Sequence, residues 1–250
     1  MSMDLLERIE RATLDAVSPE RVEELPGWLL PMDPGTVGRA HSAVPTHHAA
    51  PPEAVLLDIA GRYRQAGFRP VLRLPTLDSW HGIHAALEAR GWRRGKPTCV
   101  MTASTAEVLA RSTPTTSRTG TVALTPTASE AWMALFLGQG LDPVDGASRA
   151  RSLARSRTTQ FAQVVEDGET VACGAACYSQ GLLSAHGLRT AMAQRGQGHA
   201  TALLHAMAAQ GLRLGMQQAF LQVEAANPAR ALYERLGFAL AWQYEYWIAA

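Results

Sequence analysis

The chain has 250 residues, 47% hydrophobic and 18% charged, which excludes a disordered or fibrous protein and allows one large domain or two ordinary ones. Its 23 Lys and Arg oppose 22 Asp and Glu, and a net charge of +1 gives no long-range pull toward nucleic acid or anionic membranes. No apolar run nears the ~18 residues that cross a bilayer, which argues against a membrane partner.

Residues 3–17 read as an amphipathic helix with Leu5, Leu6, Ile9, Leu14 and Val17 as its apolar stripe. A Pro- and Gly-punctuated stretch follows, with strand candidates at 28–32 and 37–44. Residues 52–67 read as a helix, with Pro51 and Pro52 at its start and Gly67 past its end. Residues 70–74 are a strand candidate, Asp78 or Ser79 caps a helix running to Arg90, and 99–103 form a closing strand. Residues 104–120 hold five Thr and three Ser and little that is apolar, so they read as a linker. That divides the chain into domains at 1–110 and 119–250.

After the linker, 121–124 is a strand, Ser129 caps a helix to about Leu137, and a second helix spans 143–154. Strands near 160–166, 169–179 and 181–189 follow, the first two joined through Asp167-Gly168. Residues 200–214 are the clearest helix. Then come a strand at 219–224, a helix at 229–236 and an aromatic-rich strand at 239–248.

The segment 194–201, QRGQGHAT, lies between a strand and a helix. Gly196 and Gly198 allow a tight turn and a close approach of backbone to ligand. The helix start behind them offers unpaired N–H groups and a positive dipole end, together a cradle for a phosphate or pyrophosphate. A Rossmann fingerprint is excluded because Thr201 stands where its third Gly would be, and a P-loop because no Gly-Lys-Ser/Thr follows. Arg195, Gly198 and Ala200 match Arg/Gln-x-x-Gly-x-Gly/Ala. About 30 residues on, 221–238 reads LQVEAANPARALYERLGF, where Leu232, Tyr233, Gly237 and Phe238 fit Leu-Tyr-x-x-x-Gly-Phe.

These two motifs, in this order and spacing, resemble the GNAT superfamily of N-acetyltransferases over residues 121–250. The resemblance implies an α/β (α+β) fold with a mixed central sheet whose parallel strands splay apart. It implies acetyl-CoA as cosubstrate, lying in that opening, and an amine as acceptor. Backbone groups of Leu188, Arg189 and Thr190 would pair with the pantetheine arm. Backbone N–H groups of Gly196, Gln197, Gly198, His199, Ala200 and Thr201 would hold the pyrophosphate. Arg195 either adds a charged contact or serves the surface. Tyr233 would be the acid that protonates the leaving thiolate. Asn227 would bond the cofactor or cap the helix; it lies six residues before Tyr233, where seven is commoner in the family. For the base, the strand 181–189 offers only His186, and the second strand offers Glu224; water is the third choice.

The first half carries a faint echo. ALEARGW at 86–92 lies on LYERLGF at 232–238, with Glu88, Gly91 and Trp92 on Glu234, Gly237 and Phe238. Leu87 replaces Tyr233, and THHAAPP stands where the Gly-rich loop would be. The expectation is a degenerate GNAT-like domain of the tandem-GNAT type, which shapes the substrate side of the site or buries a face of the second domain.

Cys173 and Cys177 read as small buried thiols rather than metal ligands, and no metal is expected. Trp242, Tyr244, Tyr246 and Trp247 read as packing. His47-His48 receives no role. The N-terminus mixes acids and arginines through its apolar residues, unlike a signal peptide, which predicts a cytoplasmic protein with reduced cysteines. It would be a monomer or homodimer. A non-catalytic acyl-CoA-binding sensor is also compatible with a cofactor loop that has no evident base beside it.

Overall fold

The structure, a computed structural model, describes residues 4–113, 120–138, 140 and 142–250. The first half forms α1 (Leu5–Val17), β1 (Arg21–Leu25), β2 (Trp28–Met32), β3 (Val44–Pro45), α2 (Glu53–Gln65), β4 (Val71–Pro75), α3 (His81–Ala89), β5 (Arg93–Ser104) and α4 (Thr105–Arg111). The second forms β6 (Thr121–Thr125), α5 (Glu130–Phe136), α6 (Pro143–Arg155), β7 (Thr159–Glu166), β8 (Glu169–Ser179), β9 (Leu182–Thr190), α7 (His199–Arg213), β10 (Gln218–Glu224), α8 (Arg230–Arg235) and β11 (Ala239–Ile248).

Strands β1-β2-β3 make a small sheet, and the remaining eight make one mixed sheet in the order β4-β11-β5-β10-β9-β8-β7-β6. Its parallel pair is β9 with β10. The four strands at one end, β4-β11-β5-β10, read the same from either side. Each of β5 and β11 follows a helix, and each inserts beside the strand that precedes the other's helix. The register repeats as well: Tyr244 faces Thr98, while Pro75 faces Tyr244 and Glu224 faces Thr98. By that register Arg73 stands where Gln222 stands, and Pro75 where Glu224 stands. The helix ends repeat too. Trp92 N–H donates to Leu87 O and Gly91 N–H to Glu88 O, as Phe238 N–H does to Tyr233 O and Gly237 N–H to Glu234 O. Gly91 and Gly237 both sit at positive φ, +78 and +94, where a glycine closes a helix without Cβ strain.

Alternation along β10 assigns its two faces. Ala219, Leu221 and Val223 pack with Leu203, Leu204 and Met207 of α7, while Phe220 packs with Ile9 and Ala12 of α1 on the other side. The core of the first half gathers Trp28, Ile59, Tyr63, Trp80, Leu87 and Trp247, the last contributed by β11. Between α1 and β4 a fully buried ion pair joins Glu10 to Arg73 at 2.9 Å, and the Arg73 guanidinium lies 5.4 Å from the Tyr244 ring centre.

Two local expectations need correction, and one element was not expected. The strand expected at 37–44 is reduced to its last residue: the chain makes a 3-10 turn at Gly38–Ala40, and β3 begins only at Val44. There the backbone passes so close to Tyr246 that a Cβ on Gly38 would lie 2.9 Å from the ring. The linker is helical at its start. In α4, Val108 is buried in the core and Glu107 pairs with Arg111 at 2.8 Å, while residues 114–119 lie outside the described residues. β1 was not expected because RVEEL is an exposed edge strand without apolar alternation.

Candidate functional site

Parallel pairing of β10 with β9 runs from Gln218↔Leu182 to Leu221↔Ala185 and stops. Beyond that pair the strands diverge. Gly187, at φ +59, lies in the stretch of β9 where its register with β8 shifts. Its absent Cβ would stand 2.9 Å from the Phe136 ring, so only glycine fits the bend. From here to Thr190 the edge of β9 that faces β10 has no strand partner among the described residues.

A cavity of about 640 Å³ opens at the divergence. Its walls bring together Gly187 and Leu188 of β9, Gln222, Val223 and Glu224 of β10, and Asn227 and Tyr233 at α8. The opposite wall comes from the first half: Thr36 to Arg39 and His41 on one side, Arg93 to Lys96 and Thr98 of β5 on the other. Val71 of β4, Tyr244, Tyr246 and Ile248 of β11, and Arg149 of α6 complete it.

Tyr233 is positioned by the helix cap described above, its ring edge-on to Phe238 at 6.2 Å between centres. Burial raises its pKa, so the hydroxyl keeps its proton at neutral pH, and the residue lines the cavity. Asn227 accepts the Ala229 N–H through Oδ1 at 2.9 Å, which holds the turn that leads into α8. Of the sequence's two candidate bases, only Glu224 lines the cavity. His186 is buried, bonded to Ser184 Oγ at 2.7 Å. Burial, with Arg39 adding, presses its pKa down to about 3.

The Gly-rich loop forms an exposed rim at the start of α7, outside the residues that line the cavity. Gly196 and Gly198 hold φ of +77 and +87, conformations that disfavour any side chain. No atom lies within 4 Å of where either Cβ would be. The rim is therefore open, and the first N–H groups of a 15-residue helix point toward it. That geometry fits a pyrophosphate. Arg195 and Gln197 are exposed there, in long contacts with Thr190 O and Ala193 O at 3.5 Å. Ala200 and Thr201 lie in the first turn behind them.

Two neighbouring side chains have other tasks. Arg189 turns away and donates to Phe136 O at 3.0 Å and Gly138 O at 3.2 Å, closing the end of α5. His199 is buried behind the rim, 3.8 Å from Glu166.

A family model described as "Probable histone acetyltransferase Rv0428c C-terminal" matches residues 6–247. The chain belongs to this family. The match runs through both halves, so the family's unit includes the first-half wall of the cavity as well as the motif-bearing second half. No curated protein matches the chain. A solved GCN5-related N-acetyltransferase from Kribbella flavida is 18% identical, with 99% of this chain and 96% of that chain covered at a TM-score of 0.72. A functionally unknown conserved protein from Staphylococcus epidermidis is 9% identical (93% and 94% covered, TM-score 0.69). A tandem GNAT protein from the clavulanic acid biosynthesis pathway is 15% identical (98% and 95% covered, TM-score 0.63). At these identities the likeness is one of fold, and the fold is the mixed-sheet GNAT fold. No helix among the described residues is long and apolar enough to cross a membrane.

Sequence reasoning missed the first-half wall. Arg39 follows a glycine in the short 3-10 turn Gly38–Ala40, and Lys96 sits in a bulge of β5; neither position belongs to a motif. Tyr244 and Tyr246 read as packing because an aromatic stripe on a strand usually is. Tyr244 does pack with Tyr246, yet its hydroxyl also donates to Gln222 Oε1 at 2.9 Å on the cavity wall. The one available signal was Lys96 itself, the single lysine in an arginine-rich chain.

Proposed function

We propose that the chain transfers the acetyl group of acetyl-CoA to a primary amine. The observation that carries this reading is the cavity where β9 and β10 diverge: Gly187 and Leu188 of the open β9 edge and Tyr233 of α8 line it together, and the open glycine loop of α7 follows that edge in the chain. Backbone groups of Leu188, Arg189 and Thr190 would hold the pantetheine arm. N–H groups of Gly196 to Thr201 would hold the pyrophosphate, with Arg195 beside them. Asn227, whose oxygen holds the turn before α8, lines the cavity and would bond the cofactor through its amide NH₂.

In the step itself the amine nitrogen attacks the thioester carbonyl, a C–N bond forms and the C–S bond breaks. The Tyr233 hydroxyl is placed to give its proton to the departing sulfur, and Glu224 or water takes the proton lost by the amine. The products are an amide and free coenzyme A. The first half, on this reading, is a degenerate copy of the second that has become the acceptor-side wall. The domains are then 1–110 and 119–250, with β5 and β11 exchanged between them.

Calorimetry with acetyl-CoA tests the reading, with Gly198→Glu as the control. Binding at a micromolar Kd, about 8 kcal/mol, and its loss in the variant support it; no binding by the wild-type chain overturns it. A second reading, an acyl-CoA sensor without turnover, is favoured by one observation: among the described residues Glu224 is the single carboxylate on the cavity. Thiol release from acetyl-CoA in the presence of amines separates the two.

A further inference from the structure

The cavity's charge is unlike the chain's. Five cations line it, Arg39, Arg93, Arg94, Lys96 and Arg149, against one carboxylate, Glu224, in a protein whose net charge is +1. Two of the five are partly committed: Arg94 lies 3.4 Å from Glu88 and 3.7 Å from Glu245, and Arg149 bonds Asp145 at 2.8 Å. Arg39, Arg93 and Lys96 have no Asp or Glu within 4.0 Å among the described residues. Arg39 is the most telling. Its nearest polar partner is Gln222 Oε1 at 3.5 Å, and its Nε is buried without any partner. An arginine held inside a wall with donors unsatisfied is a recognition element awaiting an acceptor.

The backbone is shaped to hold these charges there. Lys96 takes φ +53, a left-handed conformation that is costly for a residue with a Cβ, where β5 and β11 slip register. Gly38 lets the preceding turn close on Tyr246 and so sets Arg39 against Gln222. On the acetyltransferase reading the phosphates of coenzyme A would lie at the open glycine loop of α7, whose residues do not line the cavity, which leaves these cations for the other guest.

We infer that the acceptor amine carries an anionic group, a carboxylate or a phosphate, which the Arg39–Lys96 wall binds while its amine lies toward Glu224 and Tyr233. This rests on the acetyltransferase reading and names its substrate class. A cavity of this size suits a small molecule. A lysine-rich polypeptide would bring more positive charge to a wall that already repels it.

The full chain would be assayed for acetyl-CoA-dependent thiol release with β-alanine and O-phosphoethanolamine as anionic amines, ethylamine as the neutral-tailed one, and spermidine and a lysine-rich peptide as polycations. The expected result is kcat/KM at least 10-fold higher for one or both anionic amines, falling as salt is raised. Whichever of the two is preferred separates carboxylate from phosphate. Arg39→Met and Lys96→Ser should each raise KM for the anionic acceptor about 10-fold, leave kcat within twofold and leave the calorimetric Kd for acetyl-CoA unchanged. Arg64→Ser, on α2 and off the cavity, controls for net charge. Higher kcat/KM with ethylamine, spermidine or the peptide overturns the inference but leaves the acetyltransferase reading standing. Acetyl-CoA binding without turnover of any of these amines also overturns it. Absence of acetyl-CoA binding overturns the underlying reading instead.

Discussion

Ala185↔Leu221 in the second half and Ala43↔Leu72 in the first are matching points where parallel pairing ends. Past the former lies a cavity of about 640 Å³; past the latter, one of about 10 Å³. Side chains account for the difference. Pro45 stands where Gly187 bends β9 open, Arg73 where Gln222 stands, and Pro75 where Glu224 stands. The Arg73–Glu10 pair and Trp242, stacked edge-on against His48 at 5.3 Å, fill the space. At the helix start, Pro51 and Pro52 replace Gly196 and Gly198, and a proline brings no N–H to an anion. One architecture can thus be a ligand site or a packed core, depending on a handful of side chains.

The sharpest break of that comparison is stoichiometric. Calorimetry should give one acetyl-CoA per chain. Gly198→Glu should weaken binding more than about 100-fold, a loss of at least ~2.7 kcal/mol, since its carboxylate would occupy the open rim. Pro52→Gly, the reverse change in the first half, should alter neither affinity nor stoichiometry. Two sites, or a response to Pro52→Gly, would mean that the first half still binds.

The filled cleft should then be a stability element. Burial already holds the Glu10 carboxyl above its usual value, against the opposing pull of Arg73. Arg73→Met would leave that group buried without its cation, so urea denaturation should show a loss of about 3–5 kcal/mol. Glu10→Leu combined with Arg73→Met should restore most of it. If the single variant costs under about 1 kcal/mol, the pair does not hold the first half closed.

How much of this could be read beforehand follows from range. The second half was legible because its chemistry is written locally: Gly-x-Gly before a helix, and Tyr-x-x-x-Gly-Phe at a helix end, each tie a few adjacent residues to one turn. ALEARGW was legible for the same reason. The exchange of β5 and β11 was not, because a strand's sequence shows which face is apolar but not which neighbour it will choose. The cavity's basic wall was hidden likewise, since Arg39 and Gln222 are 183 residues apart. α4 was obscured by composition: Thr105 and Ser112 read as linker, yet both are buried, with Ser112 Oγ bonded to Val108 O at 2.5 Å.

Tyr233 and Leu87 offer the next contrast, since identical backbone bonds hold them at matching helix ends. Tyr233→Phe should lower kcat by about 10²-fold, the usual loss for a general acid, with acetyl-CoA affinity unchanged. Leu87→Ala should leave kcat alone and cost about 2–5 kcal/mol of stability. A Tyr233→Phe enzyme at full rate would remove the hydroxyl from the chemistry and make the tyrosine a packing residue like Leu87.

The smallest effect concerns His186, whose place in the first half is taken by Val44. Its pKa is pressed to about 3 in the folded chain, first by burial and then by Arg39. In the unfolded chain it would titrate near 6.5. A depressed folded pKa means that stability is complete above about pH 6.5 and is lost as pH falls toward 3, because the unfolded state takes the proton first. The slope for this one group is about 1.4 kcal/mol per pH unit. His186→Val copies the first half: it leaves Ser184 without its ring partner, at a cost of about 1 kcal/mol at neutral pH, and abolishes that slope. Between pH 7 and pH 5 the wild type should therefore lose about 2 kcal/mol more than the variant by urea denaturation. His41, His48 and His84, also depressed by burial, titrate in both proteins and cancel in the difference. Equal losses would mean that His186 is charged or solvated in the folded chain, and it would then return as a candidate base beside Glu224.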